Sequence, residues 1–162
     1  KLINEVKAGL IINNIVYHKT DAQYDAKTVF TNDKYALRNS ELLKKHIYDY
    51  LTSDSKIESD FAQALENSTE VVVYAKLPKS FYISTPIANY SPDWAIVLDK
   101  DKVRHIYFVA ETKGSDSDLE LREIEKLKIH CAEKHFETIS GGVVKFSTVS
   151  SYDKLLDLVQ LH

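Results

Sequence analysis

One α/β or α+β domain is the fold class this sequence predicts, on three observations. Its 162 residues, 44% hydrophobic and 10% aromatic, suffice for one core and leave little room for a second. Its apolar spacing switches between helical and strand periods in the order helix, three strands, helix, strand, helix. With only four glycines and three prolines and no repeat or low-complexity tract, nothing marks an interdomain linker.

Residues 1–47 read as a peripheral extension. Alternation of Tyr24, Ala26, Thr28 and Phe30 suggests a short strand, and SELLKKHIYDYL, residues 40–51, puts Leu43, Ile47 and Leu51 on one helical face. The core begins at 48. Ser55 stands three residues before Glu58, an S-x-x-E capping box, and Ile57, Phe61 and Leu65 then recur at helical spacing, predicting a helix over roughly 56–66. Asn67 and Ser68 close it, and the β-branched VVVYAKL, residues 71–77, predicts a strand that Pro78 ends.

The apolar runs AIV and IYFVA then flank the charged turn DKDKVRH and predict an antiparallel hairpin of residues 93–98 and 106–113. A second capping box, Ser117 with Glu120, opens a helix over about 118–135, striped by Leu121, Ile124, the stem of Lys128, Cys131 and His135. Gly141 and Gly142 turn the chain into the strand VVKFSTV, and SSYDKLLDLVQL closes with a short amphipathic helix.

Charge and composition narrow the function. A net charge of -3 and a pI near 6.1 argue against gripping nucleic acid by the overall field, so any polyanion contact is local or supplied by neighbouring domains. A single cysteine, Cys131, excludes an intramolecular disulfide and fits a reducing compartment. No apolar run approaches the ~20 residues that span a bilayer, and KLINEVKAGLIINN lacks the form of a signal peptide, so a cytoplasmic protein is expected. The chain starts at Lys1 and contains no methionine, which predicts a piece of a longer polypeptide. It has no G-x-x-x-x-G-K-[ST] motif, so this stretch is not expected to hydrolyse ATP.

The hairpin poses the chemical question. Setting Leu98 opposite Ile106 places Asp93 opposite Glu111 at one end of one sheet face, with Lys113 joining them two residues on; a one-residue slip would separate them. Two carboxylates 4 Å apart repel by about 1 kcal/mol in water and about 4 kcal/mol at an effective dielectric of 20. Something positive belongs between them. Lys113 alone can fill that role as a cross-strand salt bridge at a sheet margin. The functional alternative is a divalent cation: carboxylate oxygens completed by water and a substrate phosphate are what Mg²⁺ takes, with an adjacent ammonium suited to orienting water or neutralising a developing phosphorane.

Pro92-Asp93 followed by Glu111-Thr112-Lys113 resembles the PD-(D/E)XK nuclease motif. The wider text KLPKSFYISTPIANYSPDWAIV, ETKG and LREIEKLKIHCAEKHF is similar to the endonuclease domain of the Res subunit of type III restriction enzymes, over roughly residues 48–136. Where that family usually has glycine before the PD pair, this chain has Ile87, Ala88 and Asn89. The resemblance implies a restriction-endonuclease-like αβββαβ core with a mixed central sheet flanked by helices. It also implies Mg²⁺-dependent hydrolysis of double-stranded DNA, an ATP-dependent motor upstream and a partner methyltransferase subunit that recognises sequence. Asp93 and Glu111 become metal ligands, Lys113 the residue that positions water, and Glu58 a third acidic ligand from the first core helix.

Glu58 has a second reading as the capping-box glutamate, worth about 1 kcal/mol for reasons unrelated to metal. Arg122, Glu123, Lys126 and His130 form a charged helix face that is either solvated or, through Lys126 and His130 four apart, in contact with the phosphate backbone. Trp94, one residue after Asp93, points to the opposite face and is expected in the core, as is Cys131. The histidines lack H-x-x-x-H spacing, which weighs against zinc. The rival from a different class is a non-catalytic module that keeps the nuclease fold as a DNA clamp or a docking surface.

Overall fold

The computed structural model describes residues 15–18, 43–48, 51, 53, 55–100, 104–112 and 123–160. Seven elements follow one another: α1 (Lys56–Asn67), β1 (Val71–Lys76), β2 (Trp94–Lys100), β3 (Arg104–Thr112), α2 (Glu123–Ser140), β4 (Val144–Val149) and α3 (Tyr152–Gln160). This is the order that the apolar periods predict. The strands form one sheet in the order β1-β2-β3-β4, antiparallel across the first two junctions and parallel between β3 and β4. The sheet is therefore mixed, and the α2 crossover is what lets β4 run alongside β3.

Strand alternation divides the side chains between two faces. Trp94, Ile96 and Leu98 of β2, with Tyr74 of β1 and Val149 of β4, meet Phe61, Ala62 and Leu65 of α1 and Leu155 and Val159 of α3 in one buried cluster. On the second cluster, Ala132 and Phe136 of α2 pack with Ile83 and Tyr90 of the long β1–β2 connection, edged by Leu77, Phe81, Val144 and Phe146. The result is three layers, with α1 and α3 on one face and α2 on the other.

The hairpin register is the one expected, with Leu98 opposite Ile106 and the ladder running from Lys100–Arg104 to Trp94–Ala110. Two expectations need correction. Residues 43–48 do not form the helix that the spacing of Leu43, Ile47 and Leu51 predicts. They lie along the free edge of β1, where the Tyr74 N–H donates to the Lys45 carbonyl (3.0 Å) and the Ile47 N–H to the Tyr74 carbonyl (3.1 Å). An unpaired strand edge offers backbone partners that outweigh a weak helical stripe.

α2 also runs past His135 to Ser140, because Phe136 and Ile139 extend its apolar stripe onto the second cluster. It stops at Gly141 and Gly142, whose φ values of 61° and 82° only glycine adopts without strain. The Gly142 N–H bonds back to the Glu137 carbonyl (3.3 Å), the six-to-one closure of a Schellman motif. The strand expected around Tyr24–Phe30 and the capping box at Ser117 and Glu120 lie outside the described residues.

Candidate active site

Asp93 is placed by its neighbours on both sides. Pro92 is fully buried, and Trp94, with no exposed surface, packs its indole against Phe61 (ring centroids 5.5 Å) and Tyr74 (6.2 Å). The Asp93 carbonyl accepts the Leu77 N–H at 2.7 Å, tying this residue to the end of β1. Trp94 is thus a core residue, as expected. Its burial fixes the backbone of the half-buried Asp93 one step before β2 begins.

Trp94–Ala110 is the terminal pair of the hairpin ladder, so one further step along the same register brings Asp93 level with Glu111. Glu111 itself sits in β3, paired with Thr148 of β4. Lys76, the last residue of β1, stands opposite Trp94. One end of the sheet therefore carries Lys76 of β1, Glu111 of β3 and Thr148 of β4, with Asp93 one residue ahead of β2. Lys113 lies outside the described residues.

Glu58 reaches the same end through α1. The helix starts where the capping box predicts: the Glu58 N–H donates to the Ser55 hydroxyl oxygen at 3.2 Å. The Glu58 carboxylate accepts from the Lys76 ammonium at 2.5 Å, and the two side chains are only 14% and 17% exposed. Lys76 is the residue that sequence reasoning missed. A lysine at the end of a strand reads as a solvated terminus, and only the fold shows it facing α1; its place two residues before Pro78 was the available signal.

Lys76 is held in turn by the edge segment. Its N–H donates to His46 Nε2 at 3.2 Å, while His46 Nδ1 lies 3.0 Å from the Tyr48 carbonyl. Glu66, near the far end of α1, takes the N–H groups of Lys44 (2.6 Å) and Lys45 (3.2 Å) and the Tyr74 hydroxyl (3.2 Å). Burial pushes the Glu66 carboxyl up, but these donors outweigh it and leave its pKa below the usual range. Burial lowers the His46 pKa from its ordinary value, against the opposing pull of the Tyr48 carbonyl and Glu66.

The residues expected to touch phosphate are on α2, across the sheet from α1. His130 pairs with Glu133 at 3.5 Å one turn on, with both side chains well exposed, and Lys126 is half-buried. Cys131 is fully buried, and burial pushes its thiol up, the reverse of what a nucleophile needs. No helix among the described residues is long and apolar enough to cross a membrane.

Among the described residues no three His, Cys, Asp or Glu side chains stand together as a metal-holding group. Comparison with known proteins identifies the domain. Residues 44–152 match the endonuclease domain family, and the chain belongs to it. The chain is 34% identical over 122 residues to the type III restriction-modification enzyme EcoPI Res subunit of Escherichia phage P1. It has the same identity over the same length to the EcoP15I Res subunit of Escherichia coli. Each alignment covers 73% of this chain and 12% of the relative, so the chain spans about an eighth of the length of these curated proteins. No solved structure matches it.

Proposed function

We infer that this domain hydrolyses DNA phosphodiester bonds with Mg²⁺ as cofactor, within a type III restriction system, on a restriction-endonuclease-like αβββαβ core. The observation that supports the reading is the hairpin register, whose last pair is Trp94–Ala110 and which, continued by one step, would set Asp93 level with Glu111. Cross-strand neighbours stand about 5 Å apart at Cβ, a span that a six-coordinate cation with bonds of about 2.1 Å fits, and the donors are hard carboxylate oxygens of the kind Mg²⁺ prefers.

In this reading Asp93 and Glu111 hold the cation, and Glu58 contributes through a water. The bound cation supplies charge for the developing phosphorane and acidifies water. Lys113, two residues beyond Glu111, positions the attacking water and adds positive charge beside the phosphate. Lys126 and His130 approach the DNA backbone from α2. By analogy with the Res subunits, the full-length protein works in the cytoplasm on double-stranded DNA, driven by an ATP-dependent motor outside this chain and directed by a methyltransferase subunit.

The test compares full-length wild type with Asp93→Asn in plasmid cleavage and in thermal melts, with chelator and with excess Mn²⁺. Asp93→Asn should abolish cleavage and leave the metal-free protein as stable or more so, because two like charges no longer repel. It should also lose the stabilisation that Mn²⁺ gives the wild type, since a ligand stabilises only what it binds. A destabilised, metal-indifferent variant would instead mean a salt bridge with Lys113 and a non-catalytic module.

A further inference from the structure

Lys76 has no part in the function so far proposed, yet its position is unusual. A lysine side chain only 17% exposed, at the strand position opposite the buried Trp94, is unfavourable unless a partner repays its lost hydration. The partner is Glu58. Glu58 does not need a lysine for its capping position, because a carboxylate in the first turn is already favoured by the helix dipole. The pair joins α1 to the end of β1, opposite Trp94, next to the residue read above as a cation ligand, Asp93.

We propose that Lys76 is a built-in counter-ion for Glu58, a positioning residue that holds this carboxylate at the strand end and sets how tightly a divalent cation binds beside it. The inference rests on the reading of Asp93 and Glu111 as the cation site. A Glu58 carboxylate paired to an ammonium presents almost no net charge to a neighbouring cation, and a metal-bound water must compete with the ammonium for its oxygens. With the ammonium removed, Glu58 loses this counter-charge at the end of the sheet where the proposed reading puts the cation. Cation binding then tightens, and the metal-free protein, which has lost the part-buried Lys76–Glu58 pair, becomes less stable. Lys76 thus trades metal affinity for stability of the empty site.

The experiment measures Mn²⁺ affinity by electron paramagnetic resonance, and melting temperature in chelator, for the full-length protein and its variants. Lys76→Met should melt lower in chelator and bind Mn²⁺ more tightly, on the order of tenfold, the scale at which outer-shell changes act on metal sites. Lys76→Arg, which keeps the charge, should resemble wild type in both readouts. Lys76→Met combined with Glu58→Gln restores the charge balance and should bring Mn²⁺ affinity back toward the wild-type value. A merely structural lysine would lower the melting temperature and leave Mn²⁺ affinity alone, and a folded Lys76→Met with unchanged or weaker affinity overturns the proposal. If Lys76→Met does not fold, Lys76→Gln, which keeps a donor without the charge, is judged by the same criterion. Should Asp93→Asn bind Mn²⁺ as wild type does, the cation site and this inference fall together; if Asp93→Asn loses Mn²⁺ while Lys76→Met leaves it unchanged, only the inference falls.

Discussion

The two faces of the sheet are built to different standards. Towards α1 and α3 the core is continuous and dry: Trp94, Leu65 and Leu155 have no exposed surface, and Tyr74, Ile96 and Leu98 almost none. Towards α2 the buried side chains among the described residues include Cys131, Ala132 and Phe136 of the helix with Ile83 and Tyr90, edged by half-buried aromatics, and part of the cover is a loop rather than a helix. Glu58 and Lys76 are anchored in the first face. The difference teaches that the side holding the Glu58–Lys76 pair is packed as scaffold, and the side of α2 that carries Lys126 and His130 is covered in part by a loop.

That contrast is open to a direct break. Trp94→Ala should cost about 4 kcal/mol of stability, within the range for a fully buried tryptophan. It should also erase the Mn²⁺-induced rise in melting temperature, because Asp93 is the next residue. Phe146, half-buried and stacked on Phe136 with centroids 5.6 Å apart, should cost about 2 kcal/mol as Phe146→Ala and leave the Mn²⁺ response in place. Equal losses in denaturant melts would mean that the faces are equivalent.

A smaller effect sharpens how α1 is aimed. Ser55→Ala removes the acceptor for the Glu58 N–H and should cost about 1 kcal/mol, with Ser55→Asp recovering most of it. If Lys76 rather than the cap holds the carboxylate, Mn²⁺ affinity should be unchanged in Ser55→Ala. A parallel loss of affinity would assign the placing of Glu58 to the cap.

Much of this was legible in the sequence because local signals and tertiary demands agreed. The N-cap at Ser55 and the opposition of Leu98 and Ile106 are short-range features, and the fold adopts both, although the Glu58 carboxylate turns to Lys76. The expected opposition of Asp93 and Glu111 lies one step beyond the last pair of the observed ladder, Trp94–Ala110. What failed was non-local. The segment at 43–48 carries a helical stripe of three residues, but the bare edge of β1 lies elsewhere in the sequence and claims its backbone. Lys76 was invisible for the same reason, since its partner is 18 residues away on another element.

The finest distinction between the regions concerns two histidines that burial affects alike and that packing uses differently. His46, on the first-face edge, and His135, beside the second cluster, both have pKa values lowered by burial from the ordinary 6.5. A histidine harder to protonate when folded adds stability that is fully present above about 6.5 and is lost as pH falls through the folded-state pKa. Thermal stability should therefore decline on acidification below 6.5, before the depressed carboxyls Glu66 and Glu70 begin to contribute below 4.5. The two rings should separate on substitution. His46 uses both nitrogens, at Lys76 and Tyr48, faces Glu66, and lies among Tyr48 and Tyr74. His135 touches the ring edges of Tyr17 and Phe136, and its Nδ1 is buried without a hydrogen-bond partner among the described residues. His135→Phe keeps the ring contacts and removes an unsatisfied polar atom, so at pH 7.5 it should leave stability equal or raised and flatten the slope between pH 6.5 and 5. His46→Phe leaves the Lys76 N–H without its acceptor, at a cost of about 1 to 3 kcal/mol, and should loosen residues 43–48 in hydrogen exchange. Melting temperatures of the two variants across that range decide the matter. If His46→Phe proves as benign as His135→Phe, the edge segment is not what holds Lys76 in place.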